Sequence, residues 1–370
     1  MEGAERKRAG GGRPGRGVTL ADVARALQVS KATVSNAYNR PDQLSARLRE
    51  RILTEAGRLG YPGPDPIAAT FSRRRAGAIG LVFDDPLTFA LTDPAEALFA
   101  TGIGEVCERA GVGLVLIPRG TGNDLVQRAL VDGFICHCDL DGDGRIDTAI
   151  GRDLPVVVVD GPVRPDAGHI GIDDRAAAAT AARHLVELGH RRIAVLASPL
   201  HPDGRNGRAN LARQQTAQLH VMRERLAGYR AGLTAGGIDW DDVPVVECAP
   251  YGREAGHRAA ADLLAGPDRP TALLAASDEI ALGALRAAAD RGLAVPEHLS
   301  VVGFDDAPPA AWSSPTLTTI HQPHRDKGQA AAEQLLTPKP HTAKLFPTTL
   351  IVRGSTAPLR SAVWPGLDCL

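Results

Sequence analysis

Residues 18–61, VTLADVARALQVSKATVSNAYNRPDQLSARLRERILTEAGRLGY, predict three short helices in one small bundle. Thr19, Ser30 and Ser45 are small hydroxyl residues at the N-cap position, each before a run with apolar residues at helical spacing. The clearest apolar stripes are Leu20, Val23, Ala24 and Leu27, and then Leu48, Ile52, Ala56 and Leu59. A capped helix, a tight turn and a second short helix are typical of a helix-turn-helix.

The second helix carries polar residues suited to reading DNA. Such a helix enters the major groove by its N-terminal end, where Lys31 and Ala32 lie, with Asn36 one turn further on the same face. Lys can donate to guanine, Ala can touch a thymine methyl and Asn can hold adenine. Three more residues have the right size to bind phosphate oxygens: Thr33, Ser35 and Asn39. The alternative from spacing alone is a small bundle with a polar surface.

The charge distribution favours DNA. The net charge is −1, yet residues 1–75 hold 15 Lys/Arg and 7 Asp/Glu. A basic head on an acidic body suggests that only the head meets a polyanion. Residues 1–17 are rich in Gly and Arg, and we expect a disordered basic tail there. That tail does not explain the basic residues spread over 25–58.

From Ala78 onward, strand-like runs alternate with amphipathic helices. Examples of the strands are AIGLVF (78–83), LPVVVVD (154–160) and LSVVGFDD (299–306). This βαβα alternation predicts doubly wound parallel sheets. There are more βα units than a single sheet usually holds, so we expect two lobes. Residues 199–222 interrupt the alternation and suggest a long polar loop or lid.

Several other classes of protein and site are disfavoured. The longest apolar runs are strand-sized, which disfavours a membrane span, and no apolar segment follows the basic N-terminus as in a secretory signal. Five scattered cysteines favour a reduced cytoplasmic protein over a disulfide framework. Cys136-His137-Cys138 lacks a second pair of zinc ligands. DLDGDGRID (139–147) begins like a calcium loop, but position twelve is Ile150 instead of Glu. We therefore predict no metal, no cofactor and no catalytic set.

Longer sequence motifs point to one particular protein family. The opening stretch resembles the DNA-binding headpiece of the LacI/GalR family of bacterial transcription regulators. Further motifs follow in family order over residues 18–358: HLVELGHRRIAVL (184–196), RERLAGYRAGL (223–233), ASDEIALGAL (276–285), LSVVGFDD (299–306), LTTIHQP (317–323) and VRGSTAP (352–358). The resemblance implies an all-α helix-turn-helix headpiece followed by an α/β core of two Rossmann-like lobes, the type I periplasmic-binding-protein fold.

The resemblance also implies a domain order. The helix-turn-helix domain spans 18–61, a hinge helix or linker 62–77 and the core 78–358. Within the core we expect an N-lobe at about 78–172 plus 324–345, a C-lobe at about 173–320 plus 346–358, and a tail at 359–370. Asp65 as N-cap and Pro66 at the first helical position suit a short hinge helix. Such a helix is marginal alone and needs a partner surface. The resemblance implies that it folds when two subunits meet on operator DNA.

The family pattern places a minor-groove wedge at Phe71, where Leu is usual, and Phe is also an intercalating residue type. The residues expected to contact DNA are Thr19, Lys31, Ala32, Thr33, Ser35, Asn36, Asn39 and Phe71. The partners implied are a pseudopalindromic double-stranded operator and a second subunit. We expect a homodimer rather than a tetramer, because the tail has no apolar heptads.

The resemblance places a small-molecule effector between the lobes, at the carboxyl ends of the strands. Arg225 of RERLAGYR and Asp305 of GFDD match family effector contacts. A guanidinium suits hydroxyls or a carboxylate, and a carboxylate can accept two hydroxyl protons. The other candidates are Asp84, Phe89, Asp160, Tyr251 and Gln322. A sugar, a sugar phosphate and a nucleoside would all suit these side chains. The sequence is equally compatible with an effector that induces transcription and with one that acts as a co-repressor.

The first hypothesis is therefore a ligand-responsive, sequence-specific transcriptional regulator, most simply a repressor. A pure solute-binding protein would need a signal peptide and no basic head. An enzyme fused to a DNA-binding domain would need a catalytic constellation, and turnover of a bound ligand would support it.

Overall fold

A computed structural model describes residues 18–64, 75–83, 86–119, 124–138, 140, 142–337 and 342–359. The chain divides between Ala76 and Gly77 into two compact units. Phe71, Asp84 and residues 65–74 of the expected hinge helix lie outside the described residues. The predicted wedge and hinge helix therefore stay predictions.

The first unit is a bundle of three helices, α1 (Leu20–Leu27), α2 (Lys31–Asn39) and α3 (Ala46–Leu59), with a 3₁₀ turn at Pro41–Gln43. Ser30 caps α2, because its Oγ accepts from the backbone N–H of Thr33 at 3.0 Å. Ser45 caps α3 in the same way, and Thr19 is the N-cap of α1. The bundle buries Val23, Ala24, Val34, Ala37, Ile52 and Ala56.

The second unit contains two sheets. Its elements begin with β1 (Ala78–Phe83), α4 (Leu87–Ala90), α5 (Pro94–Ala110), β2 (Gly113–Ile117), α6 (Asp124–Arg128), β3 (Phe134–His137), α7 (Arg145–Ile150), β4 (Val156–Val159) and β5 (Gly168–Ile172). They continue with α8 (Asp174–Glu187), β6 (Ile193–Ala197), β7 (Gly207–Arg208), α9 (Leu211–Gln215), α10 (His220–Ala235), β8 (Val245–Glu247), α11 (Arg253–Ala265), β9 (Ala272–Ala275), α12 (Asp278–Asp290) and β10 (Ser300–Asp305). The last are α13 (Pro308–Trp312), β11 (Thr318–His321), α14 (His324–Leu336), β12 (Ala343–Phe346) and β13 (Thr349–Ile351).

The two sheets define two lobes. The first sheet has the order β12-β5-β4-β3-β1-β2 and is parallel throughout, and we call the part around it the N-lobe. The second has the order β13-β11-β10-β9-β6-β8-β7, with only β13 and β7 antiparallel to their neighbours. We call the part around it the C-lobe. The chain passes between the sheets after β5, after β11 and after β12.

The apolar strands explain this arrangement. β4 and β9 are buried along their whole length, as expected for parallel strands covered by helices on both faces. Helix α14 follows β11 of the C-lobe yet packs on α5 of the N-lobe. A side chain at Gly102 would come within 2.0 Å of the Arg325 carbonyl oxygen, so this close helix contact depends on glycine.

Residues 199–222 are more ordered than the predicted loop. They hold the edge strand β7 and the short helix α9. Arg213 ties the segment down by ion pairs to Asp203 and to the buried Glu247. Glu247 also accepts from the backbone N–H of Leu200 at 3.0 Å. The polar sequence by itself suggested a loop, because the bonds that order this segment involve Glu247, which lies outside it.

Candidate functional site

Helix α2 presents its predicted reading residues on an accessible face. Val34 and Ala37 are fully buried against the bundle, and Lys31 and Ala32 are exposed. Asn36 is half-buried, and its Nδ2 donates to Gln43 Oε1 at 3.2 Å, a contact near the surface that DNA can exchange. The structure thus places Lys31, Ala32 and Asn36 where the sequence analysis expects them, and their contact with bases stays a prediction.

The predicted phosphate-binding residues have side-chain hydrogen-bond partners within the helical bundle. Asn39 Nδ2 donates to Ser35 Oγ at 3.1 Å, and the hydroxyls of Ser30 and Thr33 are 2.8 Å apart. Thr19 donates its hydroxyl proton to Asp22 Oδ2 at 2.6 Å, which fixes the start of α1. The bonds of Thr19 and Thr33 hold small polar groups at the starts of α1 and α2, positions from which phosphates are commonly bound, whereas Ser35 and Asn39 lie further along α2.

A cavity of about 300 Å³ lies at the carboxyl ends of the strands of both lobes. The predicted effector residues among its lining are Phe89, Asp160, Arg225, Tyr251, Asp305 and Gln322. Asp84 is outside the described residues. Residues from distant parts of the chain are therefore brought into one cavity, although their contact with an effector stays a prediction.

Two carboxylates take unusual backbone conformations at strand ends. Asp160, which directly follows β4, has φ +51°, and Asp305, the last residue of β10, has φ +124°. Non-glycine residues are uncommon in this region, and such backbone strain clusters at functional sites. Both side chains are more than nine-tenths buried and line the cavity.

A hydrogen-bonded chain crosses the floor of the cavity. The fully buried Lys327 of α14 donates to Asp160 of the N-lobe, and also to Gln322 Oε1 at 2.7 Å. Gln322 Nε2 in turn donates to Asp305 Oδ1 of the C-lobe at 2.7 Å. Burial alone would raise the pKa of Asp160, but the charges of Lys327 and His137 outweigh it and hold that pKa well below its usual range.

His137 extends the network along the N-lobe wall. Its Nε2 is 3.4 Å from Asp160 Oδ2, its Nδ1 is 3.1 Å from Glu96 Oε2, and its ring stacks on Phe99 at 4.2 Å. Burial lowers its pKa, but the neighbouring Cys138 and the two carboxylates raise it well above the ordinary value.

Potential metal-ligand atoms of Glu96, His137 and Cys138 lie within 4.8 Å of one another. However, His137 is already engaged on both sides, with Nε2 3.4 Å from Asp160 and Nδ1 3.1 Å from Glu96. We therefore interpret the cluster as an ion-pair network.

Arg225 is built into the opposite wall. Its Nε donates to Asp174 Oδ1 at 2.8 Å and its Nη1 to the Ala276 carbonyl oxygen at 2.7 Å. The guanidinium lies 3.7 Å from the centroid of the Phe304 ring. Burial raises the pKa of Asp174 to about 6 in spite of this arginine. The position of Arg225 is thus fixed before any ligand arrives.

The lobes also touch across the cavity. The rings of Phe89 and Tyr251 meet edge to face with centroids 4.8 Å apart. Leu140 of the N-lobe forms an isolated antiparallel bridge with Leu219 of the C-lobe. These two contacts join the lobes across the cavity.

Several lining residues were missed by the sequence analysis: Asp93, Glu96, His137 and His324. Asp93 is the N-cap of α5, with Oδ1 accepting from the backbone N–H groups of Ala95 and Glu96. Its Oδ2 is buried and has no hydrogen-bond partner among the described residues. The sequence signal was the Asp-Pro pair at 93–94, which marks a helix start without indicating that it faces a cavity.

The helix-turn-helix and the two-lobed core with its central cavity together define a DNA-binding transcriptional regulator with a periplasmic-binding-protein-like core. A family model for bacterial regulatory proteins of the lacI family matches residues 19–62, and one for a periplasmic binding protein-like domain matches residues 182–356. An HTH-type transcriptional regulator of Mycobacterium tuberculosis is 42% identical over 353 residues, which cover 93% of this chain and 98% of that protein. The chain belongs to the LacI family, and it is a regulator rather than an enzyme.

Solved structures agree with this assignment. The lac repressor dimer bound to operator and the anti-inducer ONPF superposes with a TM-score of 0.73 at 27% identity, covering 92% of this chain and all of that one. The complex of the regulator CelR with cellobiose superposes with a TM-score of 0.64 at 28% identity, covering 93% and 100%. None of the described helices is long and apolar enough to cross a membrane.

Proposed function

We propose that this regulator is a repressor that binds a pseudopalindromic operator as a homodimer and responds to a sugar-like effector. The similarity to the lac repressor dimer on its operator supports the repressor role and the dimer. A symmetric dimer presents two identical reading helices, and so requires two half-sites related by the same symmetry.

In this proposal the second helix reads the operator. Lys31, Ala32 and Asn36 contact base edges. The groups that bind the DNA backbone are Thr19, Thr33, Ser35 and Asn39, and Phe71 acts as the minor-groove wedge. The accessible face of α2 supports these roles, because its two buried residues, Val34 and Ala37, lie on the opposite side.

The effector occupies the cavity between the N-lobe and the C-lobe. The proposed contacts are Phe89, Asp160, Arg225, Tyr251, Asp305 and Gln322, together with Asp84. The observation that carries this proposal is the cavity itself, which has polar groups at the strand ends of both lobes and buried carboxylate oxygens with no hydrogen-bond partner in the described part of the chain. A ligand that contacts both lobes favours their closed arrangement, and a coupling of about 1–3 kcal/mol would change DNA affinity roughly 5- to 150-fold.

Two measurements test the proposal on the full chain. The operator is first selected from random DNA, and its affinity is measured by fluorescence anisotropy. Sugars, polyols, nucleosides and sugar phosphates are then screened for a rise in melting temperature, because a ligand that binds only the folded state stabilises it. Any ligand found must change operator affinity at least 5-fold. The effector role is wrong if no compound produces a shift, or if every stabilising compound leaves DNA binding unchanged.

A further inference from the structure

The cavity has a surplus of hydrogen-bond acceptors. Asp93 Oδ2 and Asp160 Oδ1 are buried carboxylate oxygens with no hydrogen-bond partner among the described residues, and both residues line the cavity. Asp93 is 5% exposed and Asp160 7% exposed. Glu96 also lines the cavity, and its Oε2 faces His137 only at a poor hydrogen-bond angle. A buried acceptor that lacks a donor is costly, so these oxygens favour a ligand that supplies one.

The buried cations of the cavity are already engaged. Arg225 is held by Asp174, Lys327 by Asp160 and Gln322, and His137 lies between Glu96 and Asp160. Three further basic residues line the cavity: Arg119 and His201 are half-buried, and His324 is buried with no hydrogen-bond partner for its ring nitrogens among the described residues. Burial lowers the pKa of His324, which favours its neutral form. An anionic ligand would have to compete with carboxylates that are already bound.

We infer that the effector presents hydroxyl or ammonium donors to Asp93, carries no phosphate or carboxylate, and is selected on this basis by Asp93. This inference rests on the proposed function, since it assigns a chemical class to the ligand of the same cavity. It also adds a specificity-determining residue, placed on the N-lobe at the start of α5.

The geometry of Asp93 suits this role. Its Oδ1 is occupied by the backbone N–H groups of Ala95 and Glu96 at 2.9 and 3.0 Å, so the carboxylate is fixed in orientation. The other oxygen is therefore a preorganised acceptor. Burial is the largest cause that raises the pKa of Asp93, and repulsion from the negative charges of Asp305 on the C-lobe and of Glu96 raises it further. A donor placed beside Asp93 relieves this repulsion, whereas a phosphate would increase it.

The test uses the full chain and four groups of compounds: neutral sugars and polyols, amino sugars, sugar phosphates and sugar acids. Thermal shift identifies binders and calorimetry gives the dissociation constant. We expect binders only among the neutral sugars and polyols and the amino sugars. Comparison of these two groups shows whether the donor is a hydroxyl or an ammonium group. Asp93→Asn should weaken them about 10- to 100-fold, because a hydrogen bond to a charged group is lost.

Arg119→Gln is the matched control, since it removes a cation from the same cavity. It should change the affinity of a neutral binder less than 3-fold. Asn is itself a good N-cap, so α5 should keep its start in Asp93→Asn. If that variant does not fold, Glu96→Gln provides a second test and should weaken binding in the same direction.

The outcomes separate the two claims. A sugar phosphate or sugar acid that binds, changes operator affinity and depends on Arg119 rather than Asp93 overturns this inference and leaves the proposed function intact. A neutral binder unaffected by Asp93→Asn overturns the role of Asp93. Absence of any binder in all four groups contradicts the inference, and it contradicts the proposed function as well if nucleosides also fail to bind.

Discussion

The buried ammonium of Lys327 donates to Asp160, although 167 residues separate them in the chain. Lys327 lies on α14, which follows the second passage between the lobes, and Asp160 follows β4 of the N-lobe. The same ammonium reaches Gln322, which holds Asp305 of the C-lobe. One buried cation therefore connects the cavity carboxylates of both lobes.

Removing this cation should destabilise the core. Lys327→Met leaves the buried Asp160 with the more distant His137 in place of its closest cation, and breaking a buried pair costs about 3–5 kcal/mol. Urea unfolding at pH 7 measures the change. The double variant Lys327→Met with Asp160→Asn should recover part of the loss, because it leaves no unpaired charge.

The pH dependence of this effect has a definite sign. The pKa of Asp160 is lowered in the folded protein, so the pair contributes stability above the unfolded value of 3.8 and loses it as the pH falls. Without the Lys327 charge the pKa of Asp160 is higher in the folded variant than in the parent, so the stability difference between them should be large at pH 7 and shrink at acidic pH, as Asp160 of the variant takes up a proton. A difference independent of pH would show that packing, rather than the ion pair, is responsible.

Replacing Asp93 should stabilise the ligand-free protein. Burial first, and then the charges of Asp305, Glu96 and Glu279, raise the pKa of Asp93 from 3.8 to about 7, so its ionised form costs stability. The cost is absent below pH 3.8 and grows up to about pH 7, where it corresponds to about 4 kcal/mol at most. Asp93→Asn should thus gain stability over the parent at pH 8 and much less at pH 5. Urea unfolding at pH 8 and pH 5 measures the difference in stability. An equal gain at the two pH values would contradict the assignment of the cost to the ionised Asp93.

The contact between Phe89 and Tyr251 should hold the cleft closed. An edge-to-face aromatic pair contributes about 0.5–1.5 kcal/mol beyond area burial. Phe89→Ala should therefore weaken a ligand that requires closure by about 2- to 12-fold, with a faster dissociation rate. Stopped-flow binding measures the rates. Phe89→Leu keeps an apolar side chain without the ring and is the matched control, and equal loss in both variants would remove the special role of the aromatic pair.

Asn36→Ala should separate specific from nonspecific DNA binding. Loss of a bidentate base contact should weaken operator binding by about 1–3 kcal/mol, while salt-driven binding to random DNA changes little. Anisotropy titrations at several salt concentrations measure both. Gln43→Ala is the control, because it removes the partner of Asn36 in the free headpiece and should leave operator affinity nearly unchanged. An equal fall in both kinds of binding would make Asn36 a structural residue.

Local sequence determined much of this protein. Ser30 and Ser45 cap α2 and α3 as their hydroxyls and spacing predict, because capping depends on residues three positions apart. The βα alternation also predicted two parallel sheets from local sequence, because a strand buried on both faces is a short apolar run. The family motifs then placed Asp160, Arg225 and Asp305 on one cavity.

Tertiary structure alone decided how those groups are partnered. No local pattern pairs Lys327 with Asp160 or turns the cap Asp93 toward a cavity, because these relationships arise where distant elements meet. The ordered segment at 199–222 likewise depends on Glu247, far along the chain. Sequence determined which residues are polar and which elements form. The desolvation of those polar groups, and with it the electrostatics of the cavity, came only from the packing of two lobes around them.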